Sequence, residues 1–329
     1  RAEELARYDG VAVTRDAPDD VPLFIVGDVQ GCARAARVHH RRVQRENDVR
    51  TALDEPKRTM VFVGDMADRG PYDAEAVMFI TALVRRGEAI LVKGNHDVNL
   101  LEGLRGGNVR SSETRETVRL LRQRLSPRSL QKVIGVLEQA PLLAQWKHLV
   151  VTHASLPRIP RTGEVLRHDA EKAMTHGVRS GFYDGRENVW DLAQSSAKDP
   201  EVLVVGGHTH AERAAIDPTS GSAVLDAGVE ERGELWGMYY PELELASAKE
   251  PTVVAFHETL TGTELPTGED LLAFVEYARQ QSLVEVKRGT GEYDGLSVVS
   301  YSGITELNDL WDTYPVLRHF RGLIMDDEG

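Results

Sequence analysis

The sequence predicts an α/β protein in which the candidate functional side chains lie at one edge of a buried sheet. Five short apolar runs, rich in Val and Ile, are too short for helices and are typical of fully buried strands. They are Leu23–Val26, Met60–Val63, Ala89–Val92, Leu149–Thr152 and Val202–Val205. Helical stretches lie between them, including Tyr72–Arg86 and Glu113–Leu125. Buried strands that alternate with helices indicate a sheet with its chemistry at the carboxyl ends of the strands.

A polar residue follows each of the five predicted strands. In chain order these residues are Asp28, Asp65, Asn95, His153 and His208. Glycine stands beside four of them and allows the sharp turns that would direct their side chains to a common point. We therefore expect these five side chains to lie close together.

Composition excludes several classes of protein. The chain of 329 residues has no apolar run of eighteen residues, and its first thirty residues lack the pattern of a secretory signal. Its one cysteine, Cys32, excludes an internal disulfide framework. These features predict a cytoplasmic protein with no membrane partner. The net charge of -13 argues against a grip on long duplex nucleic acid, but not against recognition of a strand end or a nucleotide.

The chain divides into three predicted parts. Residues 1–20 are polar and are predicted to be a linker, and residues 21–256 carry the strand pattern. Within that part, Val224–Asp226 and Leu235–Tyr239 are predicted to be late hairpin strands, and Pro241–Pro251 an exit. Residues 257–329 differ in character. They begin with a turn-rich join, continue with a predicted helix at Leu271–Gln280, and end in a β-rich segment.

The polar residues form a set of ligands suited to two metal ions. Two hard cations about 3.5–4 Å apart need a shared carboxylate, with further oxygen and imidazole ligands on each ion. The candidate ligands are Asp28, Gln30, Asp65, Asn95, His153, His208 and His210. Capping of turns at strand ends is the alternative role for these residues, but capping would not require His twice and Asn after Gly in this order.

The ordered motifs resemble those of the calcineurin-like metallophosphoesterases. They are GDVQG at 27–31, GDMADRG at 64–70, GNHD at 94–97, the strand before His153, and GHTH at 207–210. Within that superfamily, GNHDVNLLEGLRGGNV resembles the phosphatase module of bacterial polynucleotide kinase-phosphatases and their diadenosine-tetraphosphatase-like relatives. The later VLDAGVEERGELWGMYYPE is similar to the same modules. The resemblance implies a layered αββα sandwich of the metallophosphoesterase type, followed by a partial β-rich segment.

The resemblance also implies roles for individual residues. Asp28 would be a carboxylate on the first metal, and Asp65 would bridge both metals. Asn95, His153 and His208 would bind the second. Arg69 would clamp the non-reacting phosphate oxygens, although an ion pair with Asp68 is the structural alternative. His96 would act as general acid for the leaving oxygen, oriented by Asp68.

One position departs from the family pattern. The family usually has His where this chain has Gln30, and that His binds the first metal. We expect His210 to compensate for it; a polar loop role for His210 is the alternative. Gln30 could instead form a hydrogen bond with phosphate or water. The expected cofactors are two divalent ions, with Mn²⁺ favoured and Fe or Ni²⁺ also suited to mixed oxygen and imidazole ligands. A water between the ions, with a pKa lowered to about 7, would supply the attacking hydroxide.

The last residues resemble the start of a phage-type RNA ligase adenylyltransferase domain. The segments are LVEVKRGTGEYDGLSVVSYS and LWDTYPVLRHFRGLIMDDEG, and Lys287 does not fit the KxxG pattern of the lysine that accepts AMP. The resemblance implies other repair domains in the same polypeptide. An ordinary β-rich appendage is the alternative.

Four functions are compatible with the sequence. The first is hydrolysis of 2′,3′-cyclic phosphate or terminal phosphate at RNA ends. The others are hydrolysis of dinucleoside polyphosphates, a protein phosphatase, and a catalytically weak binding module, which the unusual Gln30 suggests. The arginine-rich stretches Arg34–Arg45 and Arg115–Arg128 are typical of solvated helix faces, with RNA contact as the alternative.

Overall fold

The computed structural model describes residues 22–154, 156, 174–176, 201–217, 221–251 and 253–254, together with the backbone of the strand residues 5–8, 11–14, 285–288 and 297–300. The chain forms two compact units. The first contains Arg1–Asp68 and Tyr72–Glu250, and the second contains Arg69–Pro71 and Pro251–Gly329. In the described part of the chain, no helix has the length and apolar character of a membrane span.

The first unit contains most of the regular structure. Its strands are β1 Leu5–Tyr8, β2 Val11–Thr14, β3 Leu23–Val26, β4 Thr59–Phe62, β5 Ala89–Leu91, β6 Leu143–Trp146, β7 Leu149–Thr152, β8 Leu203–Gly206, β9 Ala215–Asp217, β10 Ser222–Val224, β11 Glu234–Tyr240 and β12 Glu244–Lys249. Its helices are α1 Ala33–Ala52, α2 Asp73–Arg85, α3 Asn95–Leu104, α4 Ser112–Arg124, α5 Pro127–Gln139 and α6 Val229–Arg232. The second unit contributes the antiparallel hairpin of β13 Glu285–Arg288 and β14 Ser297–Ser300.

Two mixed five-stranded sheets form the centre of the first unit. One has the order β12-β11-β3-β4-β5 and the other β6-β7-β8-β10-β9. Strands β3, β4 and β5 run parallel, as do β7, β8 and β10. Because parallel strands end at the same edge, each sheet presents the residues that follow its strands along one edge.

The main core lies between the two sheets. Ile25 and Val61 of the first sheet pack in one buried cluster with Val151 and Val205 of the second. Helix α1 packs against β11 and β12, and α2 packs against β5. On the opposite face of the second sheet, a second buried cluster contains Val204 and Met174, which belongs to the short helical segment 174–176. The predicted α/β architecture, with two sheets and flanking helices, is confirmed.

The predicted late hairpin is wrong. Strand β10 pairs with β8 and β9 in the second sheet, whereas β11 pairs with β3 and β12 in the first. The hairpin partner of β11 is β12, within the segment predicted to be an exit. Strand β12 is mostly exposed or part-buried, as expected for an edge strand, so it lacks the apolar run by which β3, β4, β5, β7 and β8 were predicted.

Other segments differ from the expectation or fall outside the description. The segment predicted to be a linker contains the β1–β2 hairpin. The segment predicted to be β-rich at the end of residues 257–329 contains β13 and β14. The predicted helix Leu271–Gln280 lies outside the described residues. The domain boundary at residue 256 stays a prediction. The first compact unit ends six residues before it, at Glu250.

Candidate metal centre

Four of the predicted ligands converge on one buried point. His153 Nε2 lies 3.1 Å from Asn95 Oδ1, 3.2 Å from His208 Nδ1 and 3.3 Å from Asp65 Oδ2. Asp65 and Asn95 come from the carboxyl edge of the first sheet, and the two histidines come from the second. Asp65, His153 and His208 have ligand atoms that all lie within 4.8 Å of one another.

The chemistry of these atoms fits a divalent cation. The other nitrogen of His153, Nδ1, lies 3.1 Å from the carbonyl oxygen of Val63, to which it can donate. In that tautomer, Nε2 presents a lone pair to two further acceptors, Asn95 Oδ1 and Asp65 Oδ2. Donor atoms about 2.1 Å from a metal and about 90° apart are separated by about 3 Å, which matches the observed spacing. A cation would resolve the mutual repulsion of these lone pairs.

Electrostatics at this point also favour positive charge. Burial opposes ionisation of Asp65, yet the imidazoles of His153, His96 and His208 hold the pKa of its carboxyl below its usual range. Burial and the neighbouring His153 lower the pKa of His208 to about 4, so its imidazole is neutral at pH 7 and its lone pair is available to a metal. Burial opposes protonation of His153, but Asp65 raises its pKa, so a proton would compete with a cation for Nε2.

A second group of acceptors lies around Asp28. Asp28 is buried, its Oδ2 accepts a hydrogen bond from the His208 amide at 3.1 Å, and its Oδ1 has no hydrogen-bond partner in the described structure. Burial, Asp226 and Asp65 raise the pKa of Asp28 well above its usual range. Gln30 donates from Nε2 to Asp65 Oδ2 at 3.3 Å, which leaves its buried Oε1 as another acceptor without a partner. These orphaned oxygens fit a second cation beside Asp65.

Two glycines bring the backbone against the carboxylates. A Cβ on Gly94 would collide with Asp65 Oδ1, and one on Gly207 would collide with Asp28 Oδ1. Any larger residue would therefore displace a predicted ligand.

The predicted general acid is paired as expected from the motif. His96 Nδ1 lies 2.9 Å from Asp68 Oδ2, and both residues are buried. The same oxygen accepts a hydrogen bond from Thr114 Oγ1 of helix α4. Asp68 is in turn held by its amide, which donates to Asp73 Oδ1 at 3.0 Å. Thr114 carried no signal in the sequence because it lies 46 residues from Asp68.

Asp97 is a residue that the sequence interpretation left without a role. Its carboxylate accepts hydrogen bonds from the amides of Asp65 at 2.8 Å, Met66 at 3.2 Å and Gly94 at 2.9 Å. Asp97 therefore joins the loop after β4 to the start of α3, the two segments that carry Asp65 and Asn95. Its place in GNHD was the available signal.

His210 lies among acidic side chains. Its Nε2 is 3.3 Å from Glu230 Oε1 and 3.8 Å from Asp226 Oδ2, and its Nδ1 is 3.5 Å from Glu231 Oε1. The Glu230 contact raises the pKa of His210 to about 9, against the effect of burial. The predicted compensation of Gln30 by His210 stays a prediction.

Asp226 is a further acidic residue that the sequence interpretation missed. It is buried, its Oδ1 accepts from the Gly228 amide at 2.9 Å, and its Oδ2 has no hydrogen-bond partner in the described structure. Burial raises its pKa to about 6. Asp226 follows strand β10 just as Asp28 follows β3, so the pattern of an acid after a buried strand could have identified it.

Arg69 directly follows Asp68 in the chain and is part-buried. Its predicted role as a phosphate clamp stays a prediction.

Residues 21–212, more than half of the chain, match the family described as Calcineurin-like phosphoesterase. The chain belongs to this family. This phosphoesterase is therefore a hydrolase, and the family uses divalent metals, for which Asp65, His153 and His208 are candidate ligands. The identity of the metals stays a prediction.

The phosphoesterase is similar to curated relatives over most of their length. Bis(5'-nucleosyl)-tetraphosphatase PrpE [asymmetrical] of Bacillus velezensis is 28% identical, with 68% of this chain and 91% of the relative covered. The protein of the same name from Geobacillus sp. is 30% identical, with 68% and 93% covered. A crystal structure described as a putative diadenosine tetraphosphatase has a TM-score of 0.50 and 19% identity, with 74% of this chain and 98% of that chain covered. At that identity, the structural likeness supports the fold alone.

Proposed function

We propose that this phosphoesterase hydrolyses dinucleoside polyphosphates, with an asymmetrical cut of a dinucleoside tetraphosphate. The main observation is the group of Asp65, Asn95, His153 and His208, two of them buried and two part-buried, next to the His96–Asp68 pair. The named relatives supply the substrate class, since the alignment covers 91% and 93% of their length.

The predicted site residues have separate roles in this reaction. Asp28, Asp65, Asn95, His153 and His208 would hold divalent cations, and Gln30 and His210 are the further candidates. Bound cations would lower the pKa of water and offset the charge of the phosphates. His96 donates from Nδ1 to Asp68 Oδ2, so Nε2 is the atom that would hold the proton for the leaving phosphate oxygen. Arg69 would bind the oxygens that do not react.

The bond changes balance with water as the only co-reactant. A bond forms between the water oxygen and phosphorus, and the P–O bond to the leaving phosphate breaks. One proton of the water is released, and the leaving oxygen receives the proton held on His96. The asymmetrical cut yields a nucleoside monophosphate and a nucleoside triphosphate.

A second candidate is hydrolysis of cyclic or terminal phosphate at RNA ends. It is favoured by the part of the chain that follows the family match at residues 21–212. That part includes the β13–β14 hairpin and the ligase-like sequence after it. A protein phosphatase and a weak binding module have no comparable observation in their favour.

A substrate panel tests the proposal. The purified chain with Mn²⁺ is assayed on diadenosine tetraphosphate, a 2′,3′-cyclic mononucleotide, an RNA oligonucleotide with a 3′-phosphate, and a phosphoserine peptide. We expect the highest kcat/KM for diadenosine tetraphosphate and no turnover by Asp65→Ala. A kcat/KM at least about tenfold higher on either RNA-end substrate would select the second candidate. No turnover of any substrate would favour the binding module.

A further inference from the structure

A cleft in the first unit is lined by arginines and lies outside the metal centre. It has a volume of about 490 Å³ and is formed by the end of α3, the loop after it and one face of α4. Its lining includes Gly106, Gly107, Arg115, Arg119 and Arg122. The volume lies within the range of about 300–1,000 Å³ that is typical of small-molecule sites.

The surroundings of this arginine cleft are positive in an otherwise acidic protein. Residues 103–124 contain six arginines and two glutamates, a net charge of +4, whereas the chain as a whole carries -13. Arg119 is paired with Glu116. Arg115 donates to the carbonyl oxygens of Val109 at 3.0 Å and Arg110 at 2.7 Å, and Arg122 donates to that of Gly103 at 3.0 Å.

These contacts leave positive charge for a ligand. Within the described residues, Arg115 and Arg122 donate to main-chain carbonyls and neither has a carboxylate partner. A guanidinium has five N–H donors, so each can still bind phosphate oxygens in a forked geometry. Gly106 and Gly107 add no side chain to the lining of the cleft.

The same two helices connect the arginine cleft to the reaction centre. Helix α3 begins with Asn95 and His96 and ends next to the cleft, a length of about 15 Å for its ten residues. Helix α4 places Thr114 on Asp68, and Arg115 is the next residue. A tetraphosphate chain with one nucleoside is therefore long enough to extend from the reaction centre into the cleft.

We infer that the arginine cleft binds the polyphosphate chain of the substrate beyond the phosphate that reacts. This inference rests on the proposed function and deepens it, since a fixed position for the distal phosphates would select the bond that is cut. The ligand is a nucleoside polyphosphate, and an RNA strand is the alternative that the test distinguishes.

The kinetic test compares two double variants of equal charge. Arg115→Gln with Arg122→Gln alters the cleft. Arg105→Gln with Arg124→Gln is the matched control, because those arginines are exposed, pair with Glu138 and Glu75, and do not line the cleft. The measured quantity is kcat/KM for diadenosine tetraphosphate divided by kcat/KM for p-nitrophenyl phosphate, which is too short to reach the cleft.

The cleft variant is expected to lower this ratio about tenfold, the equivalent of about 1.4 kcal/mol. The control is expected to stay within about twofold of the wild type. Equal ratios in the two variants would overturn the inference. A lowered ratio for the 3′-phosphate oligonucleotide without a change for diadenosine tetraphosphate would also overturn it, and would assign the cleft to RNA.

A binding measurement separates this inference from the proposed function. ATP binding is measured in chelator at low and high salt, so that neither turnover nor bound metal is needed. We expect the cleft variant to bind at least about fivefold more weakly than the control at low salt, with a smaller difference at high salt. Equal affinities overturn the inference, whereas a wild type that binds ATP but cleaves no diadenosine tetraphosphate overturns the proposed function alone. If the double variant has a lowered melting temperature, both measurements are repeated with the single variant Arg119→Gln.

Discussion

Several residues at the metal centre adopt backbone angles that side chains normally avoid. Six non-glycine residues in the described structure have positive φ, and four of them are predicted site residues: Gln30 at 44°, Asp65 at 48°, Asp68 at 101° and His208 at 68°. Such angles carry a cost of about 1–3 kcal/mol each and persist where the surroundings hold them in place. The strain is concentrated where side chains must point to one locus.

Gln30 offers a direct test of the unusual ligand set. Gln30→His should raise the affinity for Mn²⁺ about tenfold, because imidazole nitrogen is a stronger ligand for transition metals than an amide oxygen. Calorimetric titration of the wild type and variant measures the change. An unchanged affinity would show that position 30 does not reach a metal.

Thr114 is expected to position the general acid through Asp68. Thr114→Val removes the hydroxyl that donates to Asp68 Oδ2 while it keeps the shape of the side chain. Proton donation assists poor leaving groups more than good ones, so kcat should fall about tenfold for alkyl phosphates and less for p-nitrophenyl phosphate.

Thr114→Ser keeps the hydroxyl and is the matched control, with leaving-group dependence close to that of the wild type. If Thr114→Val lowers kcat by the same factor for every leaving group, Thr114 has only a structural role.

At the scale of elements, Asp97 fixes the loop after β4 against the start of α3. Asp97→Asn keeps the size of the side chain but replaces one acceptor oxygen by an amide donor. At least one charge-assisted hydrogen bond to the amides of Asp65, Met66 or Gly94 is lost, so the free energy of unfolding should fall by about 2 kcal/mol. Urea unfolding in chelator measures this value. A change below about 0.5 kcal/mol would contradict the role.

Helix α1 is held to β11 by a histidine that must stay neutral. His39 is fully buried, and its Nε2 lies 3.0 Å from the Leu235 carbonyl oxygen while Nδ1 lies 3.4 Å from Arg42 Nη1. Nε2 therefore donates and Nδ1 accepts, which requires the neutral imidazole. Burial lowers the pKa of His39 to about 4.

The sign of the pH effect follows from this shift. The unfolded chain, with a pKa near 6.5, takes up the proton before the folded chain, so stability falls as the pH drops from about 6.5 to 4. The loss amounts to at most about 3 kcal/mol. Urea unfolding at several pH values in chelator should show a smaller slope for His39→Gln, and identical slopes would contradict the assignment.

Across the chain as a whole, the sequence predicts most of the fold. Buried parallel strands have a strong signal, so Leu23–Val26 and Leu149–Thr152 match β3 and β7 residue for residue. Edge strand β12 could not be predicted in this way, because a polar strand has no apolar run. It is identified as a strand by its antiparallel pairing with β11, which its amino-acid composition does not indicate.

The missed site residues have a different explanation. Thr114 and Asp97 form hydrogen bonds with residues 46 and 32 positions away. Asp97 lies in the GNHD motif but its partners are not indicated by the sequence, and Thr114 lies in none of the motifs. The sequence predicts a strand at Val224–Asp226 that includes Asp226, whereas the observed strand β10 ends at Val224 and Asp226 comes after it. The motifs predict the candidate metal ligands, whereas the hydrogen bonds that hold those side chains in place are seen only in the structure.

The central claim is that Asp28, Asp65, Asn95, His153 and His208 hold two cations with Asp65 in common. Equilibrium dialysis against Mn²⁺, followed by metal analysis, tests it most directly. We predict two ions per wild-type chain, one in His208→Ala, and loss of both sites at micromolar Mn²⁺ in Asp65→Ala. A wild-type chain that binds no Mn²⁺, or an Asp65→Ala variant that keeps two ions, would contradict the account.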